Sequence, residues 1–234
     1  MKLHLSLIAA LCLAGSAHAG ADLDLKVAHY SRIVTPEGVT REARFSETML
    51  RRANHVWTAR VLPPGQASHR HENDGSSGMK KVAARQGTAH KHFNHVVLPR
   101  HLSLDNGQPR LEFVDAQEKQ VIAIPAGEYD NVGFDGSWEH AYYLLDPKRL
   151  KAMPVTARAS AVPGARWRER EQNGLFERVL WDDRREVPLV IESGDKAATF
   201  YNRVELTVMK GVTPERPWLD TKGYARREYA DFLD

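Results

Sequence analysis

Three runs near the C-terminus decide the fold: GLFERVLW at 174–181, EVPLVIES at 186–193 and ATFYNRVELTVM at 198–209. Each is rich in β-branched and aromatic residues, and only short polar turns separate them, as consecutive antiparallel strands require. They carry no glycine-rich phosphate loop and no activated nucleophile. The pattern points to a sheet that holds something rather than to an enzyme.

The same reading extends upstream. Residues 25–35 alternate, Pro36-Glu37-Gly38 is a turn signal, and 39–50 resume extended structure with Phe45 and Met49 as inward candidates. In 53–62, Trp57, Ala59 and Val61 share one face while Val56, Thr58 and Arg60 share the other, the mark of a half-buried strand. Residues 90–104, 110–114 and 120–125 read as further strands, with Asp105-Asn106-Gly107 as a hairpin turn. Asp135-Gly136-Ser137 turns the chain again before 138–144. The one convincing helix of the middle region is 146–153: Asp146 caps it, Pro147 suits its first position and Pro154 stops it. Near the C-terminus, Ala225, Tyr229, Phe232 and Leu233 fall at i, i+4, i+7 and i+8, which predicts an amphipathic helix set apart by Pro214, Pro217 and Gly223.

The N-terminus has a basic start at Lys2, an apolar run from Leu5 to Leu13 and an Ala17-His18-Ala19 end, the parts of a secretory signal cleaved after Ala19. The apolar run is about nine residues, roughly half of what a spanning helix needs. Cys12 is the only cysteine, and Leu11 before it fits lipid attachment poorly. After cleavage the chain enters an oxidising compartment without disulfides, so its stability rests on core and sheet pairing. The expected location is the periplasm, as a soluble protein without a membrane span. The formal charge of +3 comes from 33 basic and 30 acidic residues, interspersed as in 166–171. Nucleic-acid binding needs a one-sided basic surface, and none is present in the pattern.

Histidine is the one enriched chemical group. Residues 64–89 read as a long loop, and within it lies His69-x-His71; His90-x-His92 opens the next expected strand. Imidazoles at i and i+2 of a strand point the same way, so His69, His71, His90 and His92 form a candidate zinc or copper set. The plain alternative is a group of solvated histidines. Ser77-x-x-Lys80 and Ser193-x-x-Lys196 both match a penicillin-recognising nucleophile motif. Two matches without the accompanying Ser-Asp-Asn or Lys-Thr-Gly mark coincidence, so no cofactor and no catalytic residue is assigned.

Aromatic residues recur on nearly every expected strand. They read first as sheet core. Their functional alternative is the lining of an apolar cavity, with Trp57, Phe93, Phe113, Trp138, Tyr142, Trp181 and Phe200 as candidates.

The stretch from Phe176 to Asp182, the Val187-Pro188-Leu189 strand and 198–208 together resemble a recurring segment of the LolA/LolB-like superfamily. Residues 100–110 with 121–125 are similar to part of the N-terminal domain of the RseB/MucB regulators. The resemblance implies a strongly curved antiparallel sheet, a half-barrel wrapped around helices with an apolar cavity, and with the residue reading a mainly β fold of the α+β kind with a short middle helix and a C-terminal helix. With the residue reading, it places a domain over 20–213 and a helical tail, read from the Ala225–Leu233 stripe, at 214–234. It also implies a non-catalytic carrier of a hydrophobic small molecule or lipoprotein acyl chain, with an envelope protein as a further partner. A single such domain and the histidine-bearing segment at 64–92 depart from the pattern.

Overall fold

A computed structural model describes residues 21–63 and 94–232. Strict alternation builds its first long hairpin. In Leu23–Val34 (β1), Leu23, Leu25 and Val27 are buried on one face, and across from them Thr40–Arg52 (β2) places Arg51, Met49 and Glu47. The chain continues through His55–Arg60 (β3), Arg100–Asp105 (β4), Gln108–Asp115 (β5) and Gln120–Ile124 (β6). After two short helices come Ala165–Gln172 (β7), Leu175–Asp182 (β8), Val187–Asp195 (β9), Phe200–Val208 (β10) and Ala225–Glu228 (β11).

These strands form one 11-stranded sheet in the order β11-β6-β5-β4-β3-β2-β1-β10-β9-β8-β7. It is mainly antiparallel, strongly curved and not closed into a barrel. Among the described residues, only β11 runs parallel to its neighbour. The concave face carries the main core, in which Phe113, Leu111, Leu102 and Ile122 are each 2% exposed. Full burial of each such side chain contributes about 1.5–3 kcal/mol. Among the described residues, no helix is long and apolar enough to cross a membrane.

The structure departs from the sequence reading at four places. Residues 138–144 are not a strand: Trp138–Tyr143 is a helix (α1), because Ser137 Oγ accepts the His140 N–H at 3.1 Å and caps it. The strand expected over 90–104 is confined, among the described residues, to β4; Val97 and Leu98 instead turn back onto the Asn94 carbonyl. Strand β7 is additional, and its alternating Arg and Glu side chains blunt a sheet edge, as edge strands require.

The C-terminal helix is the fourth correction. Ala225–Glu228 is a strand in register with Gln120–Ala123 of β6, and Tyr229–Phe232 is a single 3-10 turn. A helix that short is marginal in water, whereas the open edge of β6 supplies backbone partners at once. Tyr229 still reaches the core.

Candidate functional site

One end of the concave face is closed by a buried cation. Arg51 lies on the same face as Leu23 and Met49 and is fully buried. Its guanidinium donates to the carbonyls of Glu186 at 2.7 Å, Arg185 at 2.6 Å and Ala21 at 3.4 Å. It also lies over the rings of Tyr142, at 4.7 Å, and Tyr143, at 5.6 Å. Burial pulls its pKa down, against the favourable fields of Tyr142, Tyr143, Glu186 and Asp22. The β8–β9 turn that offers those carbonyls is itself fixed by Asp182. Its carboxylate accepts the N–H groups of Arg184 and Arg185 and the Arg185 side chain. Desolvation raises the Asp182 pKa, but these donors outweigh it and hold the group below the ordinary 3.8. Helix α1 is thereby tied to the sheet.

Away from that clamp the cover thins. Pro147–Ala152 (α2) is capped by Asp146, whose carboxylate accepts the Lys148 N–H at 2.8 Å. Its Leu150, with Met153 just beyond, packs on Val179 and Trp181 of β8. Beside this contact runs a groove of about 300 Å³ lined by Leu144, Leu145, Leu150, Met153, Val179 and Ile191, with His140, Arg149 and Glu177 at its border. A second groove of about 500 Å³ continues from Arg149 and Glu177 past Arg170, Leu175 and Ser193 to Phe200 at the open rim. Arg149 and Arg170 both donate to Glu177, at 2.7 and 3.2 Å. The result is a trough on β8, β9 and β10, apolar beside α2 and largely polar toward the rim, where Arg149, Arg170, Gln172, Asn173 and Glu177 line it with Leu175, Phe176 and Phe200.

The expected cavity residues separate into different surroundings. Phe200 lines the trough. Trp181 lies beneath α2, 8% exposed. Phe113 and Tyr142 are packed into the main core, and Trp138 lies against it with its ring 5.2 Å from Tyr142. Trp57 points to the convex side and packs with Val114 and Val121. Phe93 and the four candidate ligands His69, His71, His90 and His92 lie outside the described residues. Among the described residues, no group of three or more His, Cys, Asp or Glu side chains could hold a metal ion. Sequence reasoning missed Arg149, Leu150, Glu177 and Ile191. The alternation that places Leu175, Glu177 and Val179 on one face was visible, but not which helix would stand over them.

No family model and no curated protein sequence matches the chain. Solved structures similar to it include PNGF-II in two crystal forms, each at TM-score 0.36 and 8% identity. They match 90% and 91% of this chain, which spans about a third of the PNGF-II chains (33% and 32%). A LolA superfamily protein from Nitrosomonas europaea is similar at TM-score 0.36 and 8% identity, covering 85% of this chain and 89% of its own. A putative outer membrane lipoprotein-sorting protein domain from Vibrio parahaemolyticus is similar at TM-score 0.30 and 11% identity, covering 82% and 87%.

Proposed function

We propose that this chain is an exported, periplasmic, non-catalytic protein that accepts an acyl chain or a comparable apolar ligand in the trough on the concave face of β8–β10. The observation that carries this reading is the groove beside α2, where Leu144, Leu145 and Ile191 stay half-buried above a packed floor of Leu150 and Val179. It is apolar and concave, and α1 and α2 leave it partly uncovered. Long apolar side chains left facing a concave surface are what a chain-like ligand needs. The export signal and the half-barrel implied by the sequence resemblance support the same assignment.

The Arg149–Glu177–Arg170 cluster suits a ligand with an apolar body and a polar end, which would lie across the groove border. Displacement of a fluorescent fatty acid by palmitate, with native mass spectrometry of gently purified protein, tests the reading. Wild type is expected to bind one chain per molecule. Ile191→Asp, on the half-buried groove wall, is expected to bind at least about tenfold more weakly, a loss of about 1.4 kcal/mol, while keeping its fold. Equal affinity in the two proteins, or no binding by either, contradicts it.

A further inference from the structure

The convex face holds a different construction. Because Val56, Thr58 and Leu102 take the concave side, His55, Trp57 and His101 point outward, and the strand register makes His55 and His101 diagonal neighbours. His55 Nδ1 lies 3.0 Å from His101 Nε2, and His101 Nδ1 lies 3.4 Å from a Glu112 oxygen. Arg226 of β11 holds the other Glu112 oxygen at 2.7 Å. This row orders the protons. Glu112 accepts from His101 Nδ1–H, so His101 Nε2 is free to accept from His55 Nδ1–H. A proton added at His55 Nε2 keeps this hydrogen bond but puts a positive charge beneath the strap, beside Arg216.

Residues 214–224 pass over this row on their way from β10 to β11. Trp218 stacks on both imidazoles, with ring centroids 4.7 Å from His55 and 5.4 Å from His101 and interplanar angles of 15° and 4°. Trp218 and Tyr224 also cover Trp57, Val114 and Val121. The ends of the segment are tied down. Thr213 donates its N–H to Asp24 and accepts from Arg52, and the Ala225 N–H donates to the Lys119 carbonyl. Between those ends, among the described residues, the backbone–backbone hydrogen bonds run within the segment itself. Its attachment to the sheet therefore rests on stacked side chains.

We propose that residues 214–224 form an acid-released strap, latched by Trp218 on the hydrogen-bonded His55–His101 pair and freed when His55 takes up a proton. Among the charged groups around the pair, Arg216 favours release, while the Glu112 carboxylate on His101 opposes it. Arg216 enters from the strap, and Arg52 from β2 is already committed to Asp24 at 2.8 Å. Arg226 is matched by Glu112, and Asp22 lies 3.8 Å from Arg52 in the same groove as His55. Desolvation, then His101 and Arg216, pull His55 below the ordinary imidazole value of 6.5. The strapped form thus binds fewer protons than the open one. The latch is complete above about 6.5 and weakens as pH falls below it. Glu112, held below 4.5 chiefly by its hydrogen bond from His101, stays ionised through that window.

Hydrogen exchange read by mass spectrometry on the mature chain, at about pH 7.5 and about pH 5.5 and corrected for intrinsic rates, tests this. In wild type, peptides over 214–224 are expected to lose protection several-fold at the lower pH while β9 stays unchanged. His55→Gln is expected to hold the strap equally at both values, and Trp218→Ala to leave it unprotected at both. Equal wild-type protection at the two pH values overturns the proposal. So does an acid loss in His55→Gln as large as in wild type, or full protection in Trp218→Ala.

Discussion

The two faces of the sheet are covered by different means. Over the concave face, α1 and α2 dock through apolar side chains and the Arg51 clamp, and their cover stops short of Ile191 and Phe200. Over the convex face, a strap reaches across Trp57, Val114 and Val121 but rests on two titratable rings. Apolar burial responds little to pH, whereas an imidazole pair responds strongly. The comparison separates a ligand surface, where the cover is incomplete, from a responsive surface, where it is conditional.

The largest effect should come from removing the concave clamp. Arg51→Ala strips donors from the carbonyls of Arg185 and Glu186 and frees Tyr142 and Tyr143. Urea unfolding is expected to show a loss of about 3–5 kcal/mol. A loss below about 1 kcal/mol would mean that α1 is held by other contacts. The Ile191→Asp substitution described above acts on the ligand surface alone and should leave strap protection untouched.

Trp218→Ala sharpens the convex side. It should cost about 1–2 kcal/mol at neutral pH, the scale of a lost aromatic contact with its buried area, and less under acid conditions. A cost that does not change with pH would separate the stacking from the imidazoles. The smallest effect belongs to Arg149→Met. The Arg149–Glu177 pair is exposed on the arginine side, so thermal unfolding should move by no more than about 0.5 kcal/mol. Palmitate affinity should fall more than the affinity for an uncharged alkane chain. Equal changes for both would remove the border cluster from recognition.

The sheet was legible where packing is one-sided. β8, β9 and β10 declare themselves through Val179, Val187, Ile191, Val204 and Leu206, and α2 through Asp146 and Pro147. β7 stayed hidden because Arg168, Glu169 and Arg170 look like a solvated charge run until an edge is known to need them. α1 stayed hidden because Trp138, Tyr142 and Tyr143 favour strands locally, and the Ser137 cap is a weak signal beside them. The C-terminal stripe misled because helical periodicity competes with an unpaired strand edge that only the assembled sheet reveals. The trough depends on where α2 lands, and the His55–His101 contact on the register of β3 with β4. Neither is written in local spacing.

Methyl NMR of Ile-, Leu- and Val-labelled protein titrated with palmitate reports both faces in one spectrum. Saturable shifts at Ile191, Val179, Leu145 and Leu150, with Val114 and Val121 unmoved, are the predicted result. Shifts at Val114 and Val121 instead, or none at any of the four concave-face methyl groups, would contradict it.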